Sequence, residues 1–111
     1  MRPASAVLLT PLALLAACSS QQDKELAAVK SAHSVTAEWA MIERLAAEGK
    51  VTRLYAGEMR DKAREALKSD RASLRGPAAE AVDSVQGSPS AEALADAANK
   101  LDRAEKQLET D

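Results

Sequence analysis

Small side chains make up most of the apolar part of this sequence, and this limits the folds that it can form. Alanine accounts for 25 of the 111 residues, phenylalanine is absent, and Trp39 and Tyr55 are the only aromatic residues. Burial stabilises a fold by roughly 25 cal/mol per Å² of apolar surface, so each alanine contributes little. Alanine is also the best helix former, and no alternating strand pattern occurs. We therefore expect an all-α fold with a small core.

Glycines and prolines divide the later part of the chain into helical blocks. The dividing positions are Gly49, Gly76-Pro77, and Gly87 with Pro89. Because such residues end or begin helices, the pattern predicts four helices. Their expected bounds are about 23–48, 51–75, 77–86 and 89–109. The expected fold class is a small antiparallel helical hairpin or bundle of three to four helices.

The first two predicted helices carry apolar stripes that suit an antiparallel hairpin. The Gly49-Lys50 turn between them is short enough to force that orientation. Residues that pair across such a hairpin have numbers with a constant sum, here about 98. At that register Val35 lies opposite Ala63 and Trp39 lies opposite Met59. Thr52 is placed to cap the start of the second helix.

Leucine recurs every seven residues in the last predicted helix, at Leu94, Leu101 and Leu108. With alanines between them, these leucines form a narrow seam of the coiled-coil type. Ser88 followed by Pro89 predicts the N-cap of this helix. Two arrangements are open, because the seam can pack on the hairpin or stay exposed and bind another chain.

The first 17 residues have the features of a signal peptide. Arg2 supplies a positive charge, and 14 uncharged and largely apolar residues follow from Ala4 to Ala17. A membrane-spanning helix needs about 20 apolar residues, so this stretch is too short for a stable anchor and cleavage is expected. The expected organisation is a signal peptide at 1–17, a flexible tether at 18–22, and an alanine-rich helical domain at 23–111.

The segment Leu15-Ala16-Ala17-Cys18 resembles the lipobox of bacterial lipoproteins. In that family an aliphatic residue and two small residues precede a cysteine whose thiol takes a diacylglycerol. The resemblance implies cleavage between Ala17 and Cys18, a lipid on Cys18, and attachment to a membrane. In Gram-negative members the next residue directs sorting. Ser19, which is not an aspartate, then implies an outer-membrane location facing the periplasm.

Composition disfavours an enzyme and a nucleic-acid-binding protein. The formal net charge is −2, and basic residues alternate with acidic ones, so the chain has no basic stripe for nucleic acid. His33 is the only histidine and Cys18 the only cysteine, so no ligand set for zinc and no Cys-His or Ser-His-Asp set remains. Carboxylates such as Glu43 are expected on solvated helix faces. We therefore expect no cofactor and no metal.

Two functional classes remain for the helical domain. The first is a non-enzymatic envelope lipoprotein whose exposed seam, Leu94, Leu101 and Leu108, binds an unknown envelope protein or a second copy of the chain. The second is a small binding module that takes an apolar ligand or an acyl chain in a cleft between helices. An exposed seam favours the first class, and a packed seam together with a cavity favours the second.

Overall fold

A computed structural model describes the backbone of residues 2–110 and the side chains of residues 21–110. The described residues form four helices and no strand. The helices are α1 (Arg2–Ala47), α2 (Arg53–Arg71), α3 (Gly76–Asp83) and α4 (Ala91–Thr110). The all-α fold class and the small helical bundle are thereby confirmed. Within the described part of the chain, none of these helices has a stretch that is long and apolar enough to cross a membrane.

Helix α1 begins closer to the N-terminus than the helix predicted from about residue 23. Its backbone is helical through residues 18–22, where a flexible tether is expected. No glycine or proline lies between Pro11 and Gly49, so nothing in the sequence ends the helix there, and each added residue adds one backbone hydrogen bond. The division of the chain at residues 17 and 22 concerns the cleaved protein and stays a prediction.

The turn between α1 and α2 is closed by backbone and side-chain caps. The N–H groups of Gly49 and Lys50 donate to the carbonyls of Ala46 and Leu45, at 3.1 and 2.9 Å. Gly49 has φ of 72°, a left-handed conformation that glycine adopts without strain. Thr52 Oγ1 accepts a hydrogen bond from the N–H of Tyr55 at 3.1 Å. The predicted cap at Thr52 is therefore confirmed.

The cap of α4 differs from the prediction. Ser90 Oγ accepts from the N–H of Ala93 at 3.1 Å, and the Ser90 carbonyl accepts from the N–H of Leu94 at 3.0 Å. The prediction of Ser88 as the cap, with Pro89 inside the helix, was wrong. Both serines offer the same hydroxyl, and with Ser90 as the cap Pro89 stays in the preceding loop, where its missing N–H costs nothing.

The core forms where α1 packs against both α2 and α4, with α3 packed on α4. α1 can do this because Trp39 and Ile42 lie beside Met59 of α2, while Val29, Ala32 and Ala40 are also buried. The largest fully buried side chains are Trp39, Leu67, Leu94, Leu101, Val29, Val82, Val85 and Thr36.

The seam on the last helix lies in this core. Leu94 and Leu101 are 0% exposed, and Leu108 is partly buried against the same cluster. Of the two arrangements that the sequence leaves open, the seam therefore adopts the packed one, and the exposed seam is not found. The physical reason is that the narrow leucine seam covers alanine surface of α1 that a two-helix hairpin would leave in water.

Polar pairs at the surface connect neighbouring helices. His33 Nδ1 lies 3.4 Å from Glu105 Oε1, and Lys30 Nζ lies 3.9 Å from Glu109 Oε1, so α4 runs antiparallel to α1. Arg71 at the end of α2 donates from Nε to Asp83 Oδ1 at 2.8 Å, at the end of α3. The hydrogen bond from this guanidinium lowers the pKa of the Asp83 carboxyl below its usual range.

The register of the α1–α2 hairpin can be tested by disulfide formation. Val35, Trp39, Met59 and Ala63 line one shallow recess between the two helices, as the predicted pairing requires. Cysteines that replace Val35 and Ala63 should form a disulfide, because the Cα atoms must lie within about 7 Å. Cysteines that replace Val35 and Leu74 should not. The measurement is a non-reducing gel after mild oxidation in a Cys18→Ser background, and the reverse pattern would refute the register.

Candidate functional site

The residues of the proposed lipidation motif lie outside the described side chains. These are Leu15, Ala16, Ala17, Cys18 and Ser19. The first described side chain is Gln21, three residues after Cys18. Cleavage, lipidation and sorting at these positions therefore stay predictions.

Glu25, which follows Cys18 by seven residues on α1, lies beside a groove, here called the proximal groove. It has a volume of about 550 Å³, which is within the range of roughly 300–1,000 Å³ typical of small-molecule sites. Three parts of the chain meet there: Glu25 of α1, the start of α3 with Arg75 before it, and the C-terminal half of α4. The lining residues are Glu25, Arg75, Pro77, Ala78, Glu80, Ala81, Lys100, Arg103, Ala104, Gln107 and Leu108.

The proximal groove combines charged and apolar walls. Buried Ala78 and Ala81 of α3 face partly buried Ala104 and Leu108 of α4 across it. The charged lining consists of the cations Arg75, Lys100 and Arg103 and the carboxylates Glu25 and Glu80. The groove therefore suits a ligand that has both an apolar part and charged groups.

The three cations of the groove have no partner among the described side chains. The ion pairs of residues 21–110 involve other basic residues, among them Arg60, Arg71 and Lys106. Arg75, Lys100 and Arg103 are all exposed, so their charges face solvent and can meet an incoming anion without breaking a contact. No carboxylate has to be displaced first.

The start of α3 adds positive potential to one end of the groove. Arg75 is the N-cap residue, its side chain makes no capping hydrogen bond, and Pro77 occupies the first turn. The first N–H groups of a helix have no partner within the helix and carry a partial positive charge. This charge adds to that of the Arg75 guanidinium at the same place.

A smaller water-exposed recess lies between α1 and α2. Its volume is about 190 Å³, and its apolar lining includes Val35, Trp39 and Met59. It is smaller than the roughly 300 Å³ at which ligand sites of this kind begin. The recess therefore reflects imperfect packing between two helices that carry many small side chains.

Glu43 belongs to the packing of α1 on α2 and does not lie on a solvated face as expected. Its Oε1 accepts from the Trp39 indole Nε1 at 3.1 Å and from Arg60 Nε at 2.9 Å. Arg64 lies over the Trp39 ring, with its guanidinium carbon 5.8 Å from the ring centroid, and donates to the carbonyl of Gly87. These contacts tie α1, α2 and the loop before α4 together, which is a structural role.

Sequence reasoning did not single out Arg75, Lys100 and Arg103. Arg75 and Lys100 are separated by 25 positions, so only the fold brings them together. The three-residue spacing of Lys100 and Arg103, which places both on one helix face, is the one signal the sequence holds.

Comparison with known proteins assigns no ligand to the proximal groove. No protein-family model, curated protein or solved structure matches this chain.

Proposed function

We propose that this chain is a non-enzymatic lipoprotein of the bacterial envelope, anchored by a lipid on Cys18. The single observation that carries the proposal is the segment Leu15-Ala16-Ala17-Cys18 directly after an apolar leader. A cysteine thiolate is nucleophilic enough to take the diacylglycerol, and the small residues before it suit cleavage. Two or more acyl chains on Cys18 anchor a protein stably, whereas one chain does not.

The resemblance to Gram-negative lipoproteins supports an outer-membrane location that faces the periplasm. It rests on Ser19, which stands where inner-membrane lipoproteins of that group commonly have an aspartate. The membrane is then the partner that the chain contacts through its lipid.

For the helical domain we propose the role of a small binding module. Two observations support this role over an exposed interaction seam: Leu94 and Leu101 are buried within the chain, and the proximal groove has the volume of a ligand site. The groove is lined by alanine, proline and leucine as well as by charged residues, so its ligand has an apolar part.

Binding of an envelope protein or of a second copy stays a second candidate. The observation that favours it is the exposure of three large apolar residues in the part of the hairpin far from Cys18. Leu54, Met41 and Tyr55 are 75%, 51% and 44% exposed. Single exposed apolar residues are common on monomers, so this observation weighs less than the groove.

Metabolic labelling tests the anchor. The full chain is expressed in a Gram-negative host that is fed an alkyne analogue of palmitate, purified through a C-terminal tag and coupled to a fluorophore. We expect the wild-type chain to be labelled and Cys18→Ala to be unlabelled, because no other thiol is present. Cys18→Ala should also keep the length of the precursor on a gel.

Ser19→Ala serves as the matched control, since it changes the neighbouring residue and leaves the thiol in place. It should be labelled like the wild type. Equal labelling of wild type and Cys18→Ala, or no labelling of the wild type, would refute the proposal.

A further inference from the structure

We propose that the proximal groove binds the headgroup of a zwitterionic membrane phospholipid, one that carries a phosphate and a primary ammonium group. The bound headgroup holds the helical domain against the membrane in one orientation. This inference rests on the proposed anchoring at Cys18.

The position of the groove along the chain places it near the membrane. Glu25, which lines the groove, follows Cys18 by seven residues. Seven residues span about 10 Å in a helix and at most about 25 Å when extended. A lipid on Cys18 therefore keeps the groove within reach of the headgroup layer.

The cations of the groove supply the phosphate-binding groups. Arg75 and Arg103 have planar guanidinium groups that donate two parallel hydrogen bonds to a phosphate, and Lys100 adds a third charge. All three lack partners among the described side chains, and the uncapped start of α3 lies beside Arg75. A phosphate can therefore bind without displacing an existing ion pair.

The carboxylates of the groove argue for an ammonium group in the same ligand. Glu25 and Glu80 would repel a purely anionic ligand such as inorganic phosphate or a nucleic acid. They are hydrogen-bond acceptors for a primary ammonium group. With three cations and two carboxylates, the groove matches a headgroup that carries both signs of charge.

The apolar lining matches the rest of the ligand. Pro77, Ala104 and Leu108 leave apolar surface along the groove. The glycerol and the first acyl carbons of a phospholipid cover such surface favourably, whereas a free phosphate or a free amine does not.

Photo-crosslinking in intact membranes tests this proposal on the full, lipidated chain. A photo-reactive phenylalanine analogue is placed at Gln107, an exposed residue that lines the groove, and in a second protein at Leu54, far from it. After irradiation, intact-protein mass spectrometry identifies the adducts. We expect an adduct whose added mass equals an ethanolamine phospholipid at position 107 and far less of it at position 54.

Matched charge variants test whether the groove residues cause the adduct. Arg75→Gln with Arg103→Gln should reduce it at least about tenfold, because hydrogen bonds from two charged groups to the phosphate are lost. Arg53→Gln with Lys68→Gln removes the same number of charges from exposed positions of α2 outside the groove and should leave it unchanged. Equal loss in both double variants, or equal adducts at positions 107 and 54, would show nonspecific contact and overturn the proposal.

Two further readouts separate the alternatives. Inorganic phosphate added to isolated membranes should not reduce the adduct, and a reduction would assign the groove to free phosphate and contradict the lipid proposal. An adduct to a protein at position 107 would contradict it as well. Palmitate labelling of the same samples distinguishes a failure of the groove proposal from a failure of the anchoring proposal. A labelled chain without a phospholipid adduct refutes the groove proposal and leaves the anchoring proposal intact.

Discussion

Replacing Leu101 with alanine should lower the free energy of unfolding by about 2 to 5 kcal/mol, the range for a buried leucine truncated in a packed core. Leu101 is 0% exposed and belongs to the cluster that joins α1, α3 and α4. Leucine and alanine are both strong helix formers, so the loss reports on packing rather than on helix propensity. Chemical denaturation followed by circular dichroism at 222 nm measures it.

Leu54→Ala is the matched control for this variant. Leu54 is 75% exposed in the first turn of α2, so the same substitution there should change stability by no more than about 0.5 kcal/mol. If Leu101→Ala also fell within that range, α4 would not be docked on α1, and the seam would again be free to bind a partner.

Replacing Trp39 with alanine should destabilise the domain by about 3 to 5 kcal/mol. Trp39 is 2% exposed and is the largest side chain in a core made mainly of alanine, valine and leucine. The substitution removes that volume, the indole donor to Glu43 and the ring under Arg64. Circular dichroism is the suitable probe, because Trp39 is the only tryptophan and the variant has no indole fluorescence.

Two further variants make the Trp39 result interpretable. Trp39→Phe keeps an aromatic ring and removes the indole N–H. It should therefore lower the free energy of unfolding by less than Trp39→Ala does. Tyr55→Ala truncates the other aromatic residue, which is 44% exposed. Of the three variants, it should lower the free energy of unfolding least. A loss for Trp39→Ala no larger than that for Tyr55→Ala would contradict the structure of the core.

Local signals in the sequence were sufficient for the helices but not for every boundary. Thr52 stands before a helical block and Gly49 stands after one, and each of these positions indicates a helix cap. Both caps are found. Ser88 and Ser90 offer the same hydroxyl two positions apart, so local chemistry could not decide between them. The N-terminal extension of α1 was missed because the polar residues before Asp23 neither favour nor break a helix.

Tertiary contacts were harder to predict, because they depend on which faces meet. The seam could be identified from leucine spacing, but its burial depends on contacts with distant apolar residues, since Leu94 and Leu101 share one buried cluster with Val29, Ala32 and Ala40 of α1. Glu43 looked like a surface carboxylate because its partners Trp39 and Arg60 come from two helices. For the same reason the proximal groove could not be anticipated, since Arg75 and Arg103 line one groove only in the folded chain.

The central claim is that the mature protein begins at a lipid-bearing Cys18. The most direct measurement is the mass of the N-terminal peptide of the protein extracted from membranes. The account predicts a peptide that begins at Cys18 and carries the added mass of a diacylglycerol, with or without a further acyl chain on the new amino group. A peptide that begins at another residue, or an unmodified Cys18, would contradict it.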